Sequence, residues 1–176
     1  FDPATRAVTG EGVDILNGGN GDNIIIGDMG VITGKDDITD SRTNDSVLGF
    51  EVDAVRSTSQ AYGGRDEITH GDGDDIIIGG VGADDIAATN GEDGRDIIAG
   101  DGAFMTFRAT EQNGTAVLNL FYTYQPIVGD IDTIDAGAGG DIVLGGAGAD
   151  VIEAGNGDNI VIGDAGRLVG AEDGDI

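Results

Sequence analysis

The hydrophobic residues of this chain occur in short triplets separated by stretches rich in glycine and aspartate. Clear examples are Ile24–Ile26, Ile76–Ile78 and Ile142–Leu144. Successive side chains of a β-strand point to opposite faces, so the central residue of a triplet lies on one face and its two neighbours lie on the other. Triplets of this length predict an all-β chain built from very short strands joined by turns.

The triplets belong to a repeating unit of nine residues. The clearest copy is Gly79–Ala87, which directly follows the copy His70–Ile78. Glycine recurs at the second and fourth positions, Asp at the sixth and an aliphatic residue at the eighth. Tandem units at one fixed period predict a repeat architecture in which neighbouring units stack on one another.

Each unit offers oxygen ligands to a cation. Glycines at the second and fourth positions permit a tight turn with positive φ and direct backbone carbonyls toward a common point, where the sixth residue adds a carboxylate. Hard oxygen ligands of this kind select Ca²⁺, so we predict several bound Ca²⁺ ions. The candidate sixth-position ligands are Asp14, Asn23, Asp36, Asp66, Asp75, Asp84, Asp96, Asp132, Asp141, Asp150 and Asn159. The candidate turn glycines are Gly10, Gly12, Gly19, Gly21, Gly71, Gly73, Gly80, Gly82, Gly137, Gly139, Gly146, Gly148, Gly155 and Gly157.

Composition strengthens the expectation of a cation. The chain has a formal net charge of −26 and 34 glycines, so carboxylate repulsion and the entropy of glycine both oppose folding. Eight Lys and Arg residues against 34 Asp and Glu residues cannot form a phosphate-binding face, which argues against nucleic acid or anionic membranes as partners. The sequence has no cysteine for a disulfide, and no stretch approaches the roughly 20 apolar residues of a membrane span.

The nine-residue unit resembles the G-G-x-G-x-D-x-U-x motif of the repeats-in-toxin family of secreted bacterial proteins. The resemblance covers most of the chain outside two insertions. It implies a right-handed parallel β-roll in which two nonapeptides make one coil. It also implies two rows of Ca²⁺ ions, each ion bound between the turns of successive coils, together with type I secretion and an extracellular or cell-surface location.

If two repeats make one coil, alternate triplets stack in opposite sheets, and the outer faces of the two sheets differ. The apolar outer pairs are Ile24/Ile26, Ile76/Ile78, Ile97/Ala99, Ile142/Leu144 and Ile160/Ile162. The mostly polar outer pairs are Asp37/Thr39, Glu67/Thr69, Asp85/Ala87, Thr133/Asp135 and Val151/Glu153. One sheet is therefore expected to need a cover.

Two insertions are expected to supply that cover. The second one is predicted to form a β-hairpin over Phe104–Tyr124, with a type I′ turn at Asn113-Gly114, that folds over the apolar sheet. The first has a weaker strand signal at Val47–Val55. We expect residues 1–176 to form one continuous array from a longer chain, with roll segments at about 9–39, 62–102 and 129–166 and insertions at about 40–61 and 103–128.

Some residues depart from the repeat pattern. Asn23 and Asn159 stand where the family has Asp, so we expect a weaker or absent ion beside each. His70, the single histidine, occupies the first position of a repeat, and we expect its side chain to be exposed. Tyr122 and Tyr124 lie on one face of the predicted hairpin, where packing is favoured over a sugar-binding role.

These observations favour a structural, non-enzymatic function. The sequence contains no H-E-x-x-H and no G-x-S-x-G motif, so no protease or lipase chemistry is expected. We expect a calcium-stabilised repeat segment of a large secreted bacterial protein, such as an adhesin, surface-layer component or extracellular fibre, that folds on binding Ca²⁺ outside the cell. Its expected partners are calcium ions and neighbouring repeats of the same chain.

Three alternatives stay open from the sequence. The segment could serve as a secretion and folding module attached to a secreted enzyme or toxin. The hairpin face could bind a glycan or another cell-surface partner. The apolar sheet could mediate self-association.

Overall fold

The protein is described by a computed structural model that covers residues 12–34, 52–59, 61–89, 91, 93–109, 116–124 and 129–170. In these ranges the regular structure is entirely β, and no helix has the length and apolar character needed to cross a membrane. The strands are β1 (Ile15–Asn17), β2 (Ile24–Ile26), β3 (Gly30–Gly34), β4 (Val52–Ser57), β5 (Glu67–His70), β6 (Ile76–Gly80), β7 (Asp85–Ala88), β8 (Ile97–Asp101), β9 (Ala103–Ala109), β10 (Ala116–Thr123), β11 (Thr133–Asp135), β12 (Ile142–Gly146), β13 (Val151–Glu153), β14 (Ile160–Asp164) and β15 (Arg167–Val169).

Two parallel sheets of five strands each form the roll. The sheet in the order β1-β5-β7-β11-β13 is called the polar sheet, and the sheet in the order β14-β12-β8-β6-β2 is called the apolar sheet. The chain alternates between them, so that two repeats make one coil. Neighbouring strands are in register, with Ile68 beside Ile86 and Ile77 beside Ile98. The predicted parallel β-roll is therefore confirmed.

A narrow hydrophobic core lies between these two sheets. The central residue of each triplet enters it, as shown by Ile68, Ile77, Ile98 and Val143, which are all at most 1% exposed. Burying one such side chain contributes roughly 1.5–3 kcal/mol. Because a three-residue strand places only one side chain inside, each coil adds little apolar burial, and the turns must also help to hold the coils together.

A third, antiparallel sheet comes from the insertions and is called the cover sheet. Its strand order is β15-β10-β9-β4-β3. The hairpin predicted over Phe104–Tyr124 is formed by β9 and β10, whereas its Asn113-Gly114 turn lies outside the described residues. Residues 30–34, placed in the first roll segment from the sequence, form β3 and pair with β4. The weaker strand signal at Val47–Val55 overlaps the start of β4, and its residues 47–51 lie outside the described part.

The cover sheet packs on the outer face of the apolar sheet. Val55, Met105 and Phe121 of the cover sheet are fully buried in one cluster with Ile78 and Leu144 of the apolar sheet. The remaining outer residues of the apolar sheet that join this cluster are Ile24, Ile26, Ile76, Ile97, Ala99, Ile142 and Ile162. The prediction that the insertions cover the apolar sheet is confirmed.

The polar sheet presents a mainly polar outer face. Glu67 and Asp85 face one another across β5 and β7, and Arg65 bridges their carboxylates at 2.8 and 3.3 Å. Ile15 and Val151 are apolar exceptions on this face, 78% and 59% exposed. The pair Asp37/Thr39 lies outside the described residues.

The tyrosines divide between packed and exposed positions. The Tyr122 ring lies 5.4 Å from the Phe104 ring, centroid to centroid, on the cover sheet. Tyr124 and Tyr62 are 41% and 51% exposed, so the expected packing applies to Tyr122 and not to Tyr124. Tyr124 follows directly after the last residue of β10, where the sheet no longer covers it.

Candidate metal centres

The sixth-position residues stand in two rows, one preceding the strands of each roll sheet. The first row, before the polar sheet, contains Asp14, Asp66, Asp84, Asp132 and Asp150. The second row, before the apolar sheet, contains Asn23, Asp75, Asp96, Asp141 and Asn159. The remaining predicted ligands, Asp36 and Gly10, lie outside the described residues.

After the first residue of each row, one side-chain oxygen of every row residue accepts a hydrogen bond from the preceding coil. Asp84 Oδ1 accepts a hydrogen bond from the backbone N–H of Asp66 at 2.8 Å, and Asp132 Oδ1 accepts one from Asp84 N–H at 2.8 Å. The second row repeats the arrangement, as Asp96 Oδ1 accepts from Asp75 N–H at 2.8 Å. The link from Asp84 to Asp132 spans the whole second insertion. Each row is therefore a continuous hydrogen-bonded ladder despite the insertions.

In several of the row aspartates the other carboxylate oxygen is buried and lacks a hydrogen-bond donor. Among the described residues, Oδ2 of Asp84, Asp132 and Asp150 in the first row and of Asp141 in the second row has no hydrogen-bond partner. A buried carboxylate oxygen without a partner is strongly destabilising unless a cation or a proton neutralises it. The second oxygen of each residue is the one available to an ion.

Glycines leave space for oxygen atoms to converge beside the first row. A Cβ on Gly79 would collide with Asp84 Oδ2 and with the carbonyl oxygen of Gly100, one coil further on. The same collision would occur at Gly100, with Asp132 Oδ2 and the Gly145 carbonyl. The arrangement thus repeats from coil to coil and brings one carboxylate and one carbonyl oxygen together, which are the ligand types that Ca²⁺ prefers.

Most of the predicted turn glycines have the left-handed backbone conformation expected of them. Gly80 and Gly82, for example, have φ of 125° and 129°. The others with positive φ are Gly19, Gly21, Gly73, Gly137, Gly139, Gly146, Gly148, Gly155 and Gly157. Gly12 and Gly71 do not, which corrects the expectation for them. Gly71 is instead required by a close approach, since a Cβ would lie 2.7 Å from the Gly19 carbonyl oxygen.

Two further aspartates join the first row, and they were not among the candidate ligands. Asp28 and Asp101 stand where the chain leaves the roll for the cover sheet. Their Oδ2 atoms accept hydrogen bonds from Val81 N–H and Ala147 N–H, respectively, in the turn of the next coil. Asp101 is 1% exposed, and its Oδ1 has no hydrogen-bond partner among the described residues. The recurring Gly-Asp step at each exit was visible in the sequence, but its contact with the turn depends on the stacking of coils.

The electrostatics of both rows favour a bound cation. Burial, together with repulsion from neighbouring carboxylates, raises the pKa of Asp84 and Asp101 to about 7 and that of Asp132 to about 8. Burial also raises the pKa of Asp75 and Asp141 in the second row. Without a cation Asp84, Asp101 and Asp132 would be partly protonated near neutral pH, and a bound metal ion would favour their carboxylate form.

Asn159 behaves differently from the aspartates of the second row. Its Oδ1 accepts from Asp141 N–H at 2.9 Å, which preserves the ladder, while its Nδ2 donates to the Ala154 carbonyl at 2.7 Å. Asn23 likewise donates through Nδ2 to a carbonyl of its own turn, that of Gly21. An amide donor at this point satisfies the turn carbonyl that an ion would otherwise bind. The expectation of a weaker or absent ion beside both residues stays a prediction.

The expectation of an exposed His70 is wrong. Its side chain is completely buried, with Nδ1 3.2 Å from Asp96 Oδ2 and 3.7 Å from Asp75 Oδ2. It is buried because the first position of this repeat, directly after Thr69 in β5, points into the space between two second-row carboxylates.

The fold and the two rows together define a class of protein: a parallel β-roll whose turns present buried oxygen ligands to calcium. The RTX calcium-binding nonapeptide repeat model matches residues 6–31, 58–86 and 135–167 in four copies. The chain belongs to this family, and its repeats bind calcium ions. Such repeats typically occur in secreted proteins. Searches of the curated proteins and of the solved structures found no match.

Proposed function

We propose that this chain is a calcium-stabilised structural segment of a large secreted bacterial protein, of the adhesin, surface-layer or extracellular-fibre type, without enzymatic activity. The segment stays unfolded at the low calcium concentration inside the cell and folds at the millimolar calcium outside it. Ion sites of the extracellular type, with dissociation constants of roughly 10⁻⁴ to 10⁻³ M, would give this behaviour.

The observation that carries the proposal is the pair of buried carboxylate rows. They run the length of the described roll, through every coil, and do not converge on one cleft. Metal ions in such rows act on the stability of the whole roll and not on a single substrate position. About ten ions would bring about twenty positive charges, which nearly offsets the net charge of −26.

The cover sheet also bears on the alternatives. It packs on the outer residues of the apolar sheet in a second hydrophobic cluster, which weighs against their association with another copy. The role of an accessory module on a secreted enzyme or toxin remains the second candidate, supported by the same calcium sites. A catalytic motif elsewhere in the parent chain would favour that candidate, whereas many further roll-plus-hairpin units would favour the structural one.

Circular dichroism during a calcium titration tests the proposal. In excess chelator we expect a disordered spectrum, and in millimolar calcium a β spectrum, with a midpoint between the cytosolic and extracellular concentrations. Magnesium at the same concentration is the control, since it demands smaller, stricter octahedral sites and should not induce the change. A β spectrum already complete in chelator would contradict the proposal.

A further inference from the structure

His70 occupies a position in the second row where the other coils have only small residues. The first positions of the other described repeats in this row are Gly18, Gly91, Ala136 and Ala154. Ala136 is completely buried, so this position faces the interior of the roll in another coil as well. His70 therefore places an imidazole where the neighbouring turns place nothing larger than a methyl group.

The imidazole and two carboxylates form a compact, buried set of donors. Nδ1 of His70 and one carboxylate oxygen each from Asp75 and Asp96 lie within 4.8 Å of one another. All three side chains are 0% exposed. Oδ2 of Asp75 and Oδ2 of Asp96 accept no hydrogen bond from the described residues, and both face the imidazole. Two buried carboxylate oxygens thus point into a site that also contains a nitrogen donor.

The contact made by the other ring nitrogen, Nε2, favours Nδ1 as the nitrogen that binds a metal ion. Nε2 of His70 lies 3.2 Å from the backbone carbonyl oxygen of Asp135. A carbonyl oxygen can only accept, so Nε2 carries the hydrogen and donates it. In the neutral ring, Nδ1 then holds the lone pair that can bind a metal ion. Metal-binding histidines commonly show this arrangement, with the second ring nitrogen donating to a backbone carbonyl or a carboxylate.

We propose that His70, Asp75 and Asp96 form a site for a transition-metal dication of the zinc type, which would occupy this one position of the second row in place of calcium. Imidazole nitrogen suits Zn²⁺, Co²⁺ and Ni²⁺, whereas Ca²⁺ takes oxygen ligands. Ligands at about 2.0–2.2 Å around a tetrahedral zinc ion lie about 3.3–3.6 Å apart. The nitrogen–oxygen separations of 3.2 and 3.7 Å are close to this range.

This site goes beyond the proposed structural function. The zinc proposal can be wrong while the proposed structural function remains correct. It would clamp the coil of β5 and β6 to the coil of β7 and β8, because Asp75 and Asp96 precede β6 and β8. At this point of the roll the chain would then depend on a second metal in addition to calcium.

The test is a metal titration of the calcium-saturated chain. We expect one Zn²⁺ per chain to bind in the presence of millimolar Ca²⁺, and one Co²⁺ to bind with the intense visible absorption of a four- or five-coordinate site. His70→Ala should lower the Zn²⁺ affinity at least about tenfold and abolish the Co²⁺ absorption. Alanine fits this position in the coil of Ala136, so circular dichroism should show a folded variant.

Two further variants distinguish the binding of Zn²⁺ at this site from the binding of Ca²⁺ in the first row. Asp96→Asn should weaken Zn²⁺ binding at least about tenfold, because it removes a charged ligand oxygen. Asp150→Asn, which changes a first-row carboxylate remote in sequence from His70, is the matched control and should leave the Zn²⁺ affinity unchanged while weakening Ca²⁺ binding.

Three results would overturn the proposal: no stoichiometric Zn²⁺ binding in calcium, equal Zn²⁺ binding by His70→Ala, or a histidine Nδ1 that stays protonated in nitrogen NMR spectra with excess Zn²⁺. The last result would mean that an imidazolium, and not a metal ion, neutralises the two carboxylates.

Discussion

At the scale of the residue, one aspartate serves two separate purposes. Oδ1 of Asp132 accepts a hydrogen bond from the backbone of the preceding coil, and Oδ2 points into a buried space with no donor among the described residues. The first contact requires only an acceptor, whereas the second requires a cation. An amide at this position should therefore stabilise the folded chain less than a carboxylate does, and mainly when calcium is bound.

Asp132→Asn should raise the calcium concentration that the chain needs in order to fold. The amide keeps an oxygen for the ladder but loses a charged calcium ligand, so in millimolar calcium the folded variant should be less stable than the native chain by about 1–3 kcal/mol. Thermal melts in millimolar calcium measure the difference, with Asp130→Asn at an exposed neighbouring position as control. A loss of stability no larger than that of the control would contradict the assigned roles.

Calcium binding should release protons near neutral pH. The folded, ion-free pKa values of Asp84, Asp101 and Asp132, at about 7, 7 and 8, lie above their ordinary value of 3.8. Raised values mean that protonation stabilises the ion-free fold fully below about pH 4, and that this stability is lost as the pH rises to 8. At pH 7 calcium that binds to the folded, ion-free chain must therefore displace protons from these carboxyl groups.

Calorimetry in two buffers of different ionisation enthalpy measures that proton release. The calcium-binding enthalpy should depend on the buffer at pH 7 and lose that dependence at pH 9, where the carboxylates are already ionised. Because the calcium-free chain is expected to be unfolded in plain buffer, the titration should start in an osmolyte that favours the compact state, with circular dichroism showing the chain folded before calcium is added. An enthalpy independent of the buffer at pH 7 would contradict the raised pKa values.

At the scale of the element, each strand of the roll is too short to be stable by itself. A strand of three residues buries one central side chain on the inner side, as β11 does with Ile134. The outer side chains of the apolar sheet become useful only because the cover sheet lies on them. Three strands of the cover sheet, β4, β9 and β10, are longer than any strand of the roll, with β10 reaching eight residues. Phe121, at 0% exposure, is among the most buried side chains of this sheet.

Phe121→Ala should destabilise the folded, calcium-bound chain by about 3–5 kcal/mol, because it leaves a cavity between the cover sheet and the apolar sheet. Urea unfolding in millimolar calcium measures this change. Tyr124→Ala, at a position that is 41% exposed, is the control and should change stability by less than about 1 kcal/mol. Hydrogen exchange should show the amides of β10 protected in the native chain. A loss of stability in Phe121→Ala as small as that of the control would mean that the cover sheet does not pack as described.

Much of this organisation follows from local sequence patterns. The triplet Ile76–Ile78 indicates both its strand and its apolar outer face, and the alternating side chains of β10 indicate a hairpin. These features were predictable because each depends on a few adjacent residues. The fixed spacing between Asp132 and Asp141 likewise placed one residue in each row.

Other features depend on which coils become neighbours. Asp28 reaches the turn at Val81 only because an insertion brings residues 53 positions apart into contact. His70 is buried because Asp75 and Asp96 lie beside it in two successive coils, and its own repeat shows only one of them. The strand β3 was not predicted because its partner β4 lies further along the chain, within the first insertion, and the pairing leaves no local pattern.

At the scale of the whole molecule, three sheets are stacked in layers and only two of them belong to the repeat. The cover sheet is one continuous sheet, in which β4 pairs with β9 and β10 pairs with β15 across separate excursions from the roll. Packing between the cover and apolar sheets is apolar, whereas the edges of the roll contain rows of carboxylates. The proposed dependence of folding on calcium would therefore originate in the acidic turns at these edges.

The most direct test of the central claim is the anomalous diffraction signal of calcium in crystals grown in millimolar Ca²⁺. The account predicts density along both rows, beside Asp84, Asp132 and Asp150 in the first row and beside Asp141 in the second, with none at the amide of Asn159. A folded chain whose buried rows hold no calcium, with ions only at exposed carboxylates such as Asp72, would contradict it.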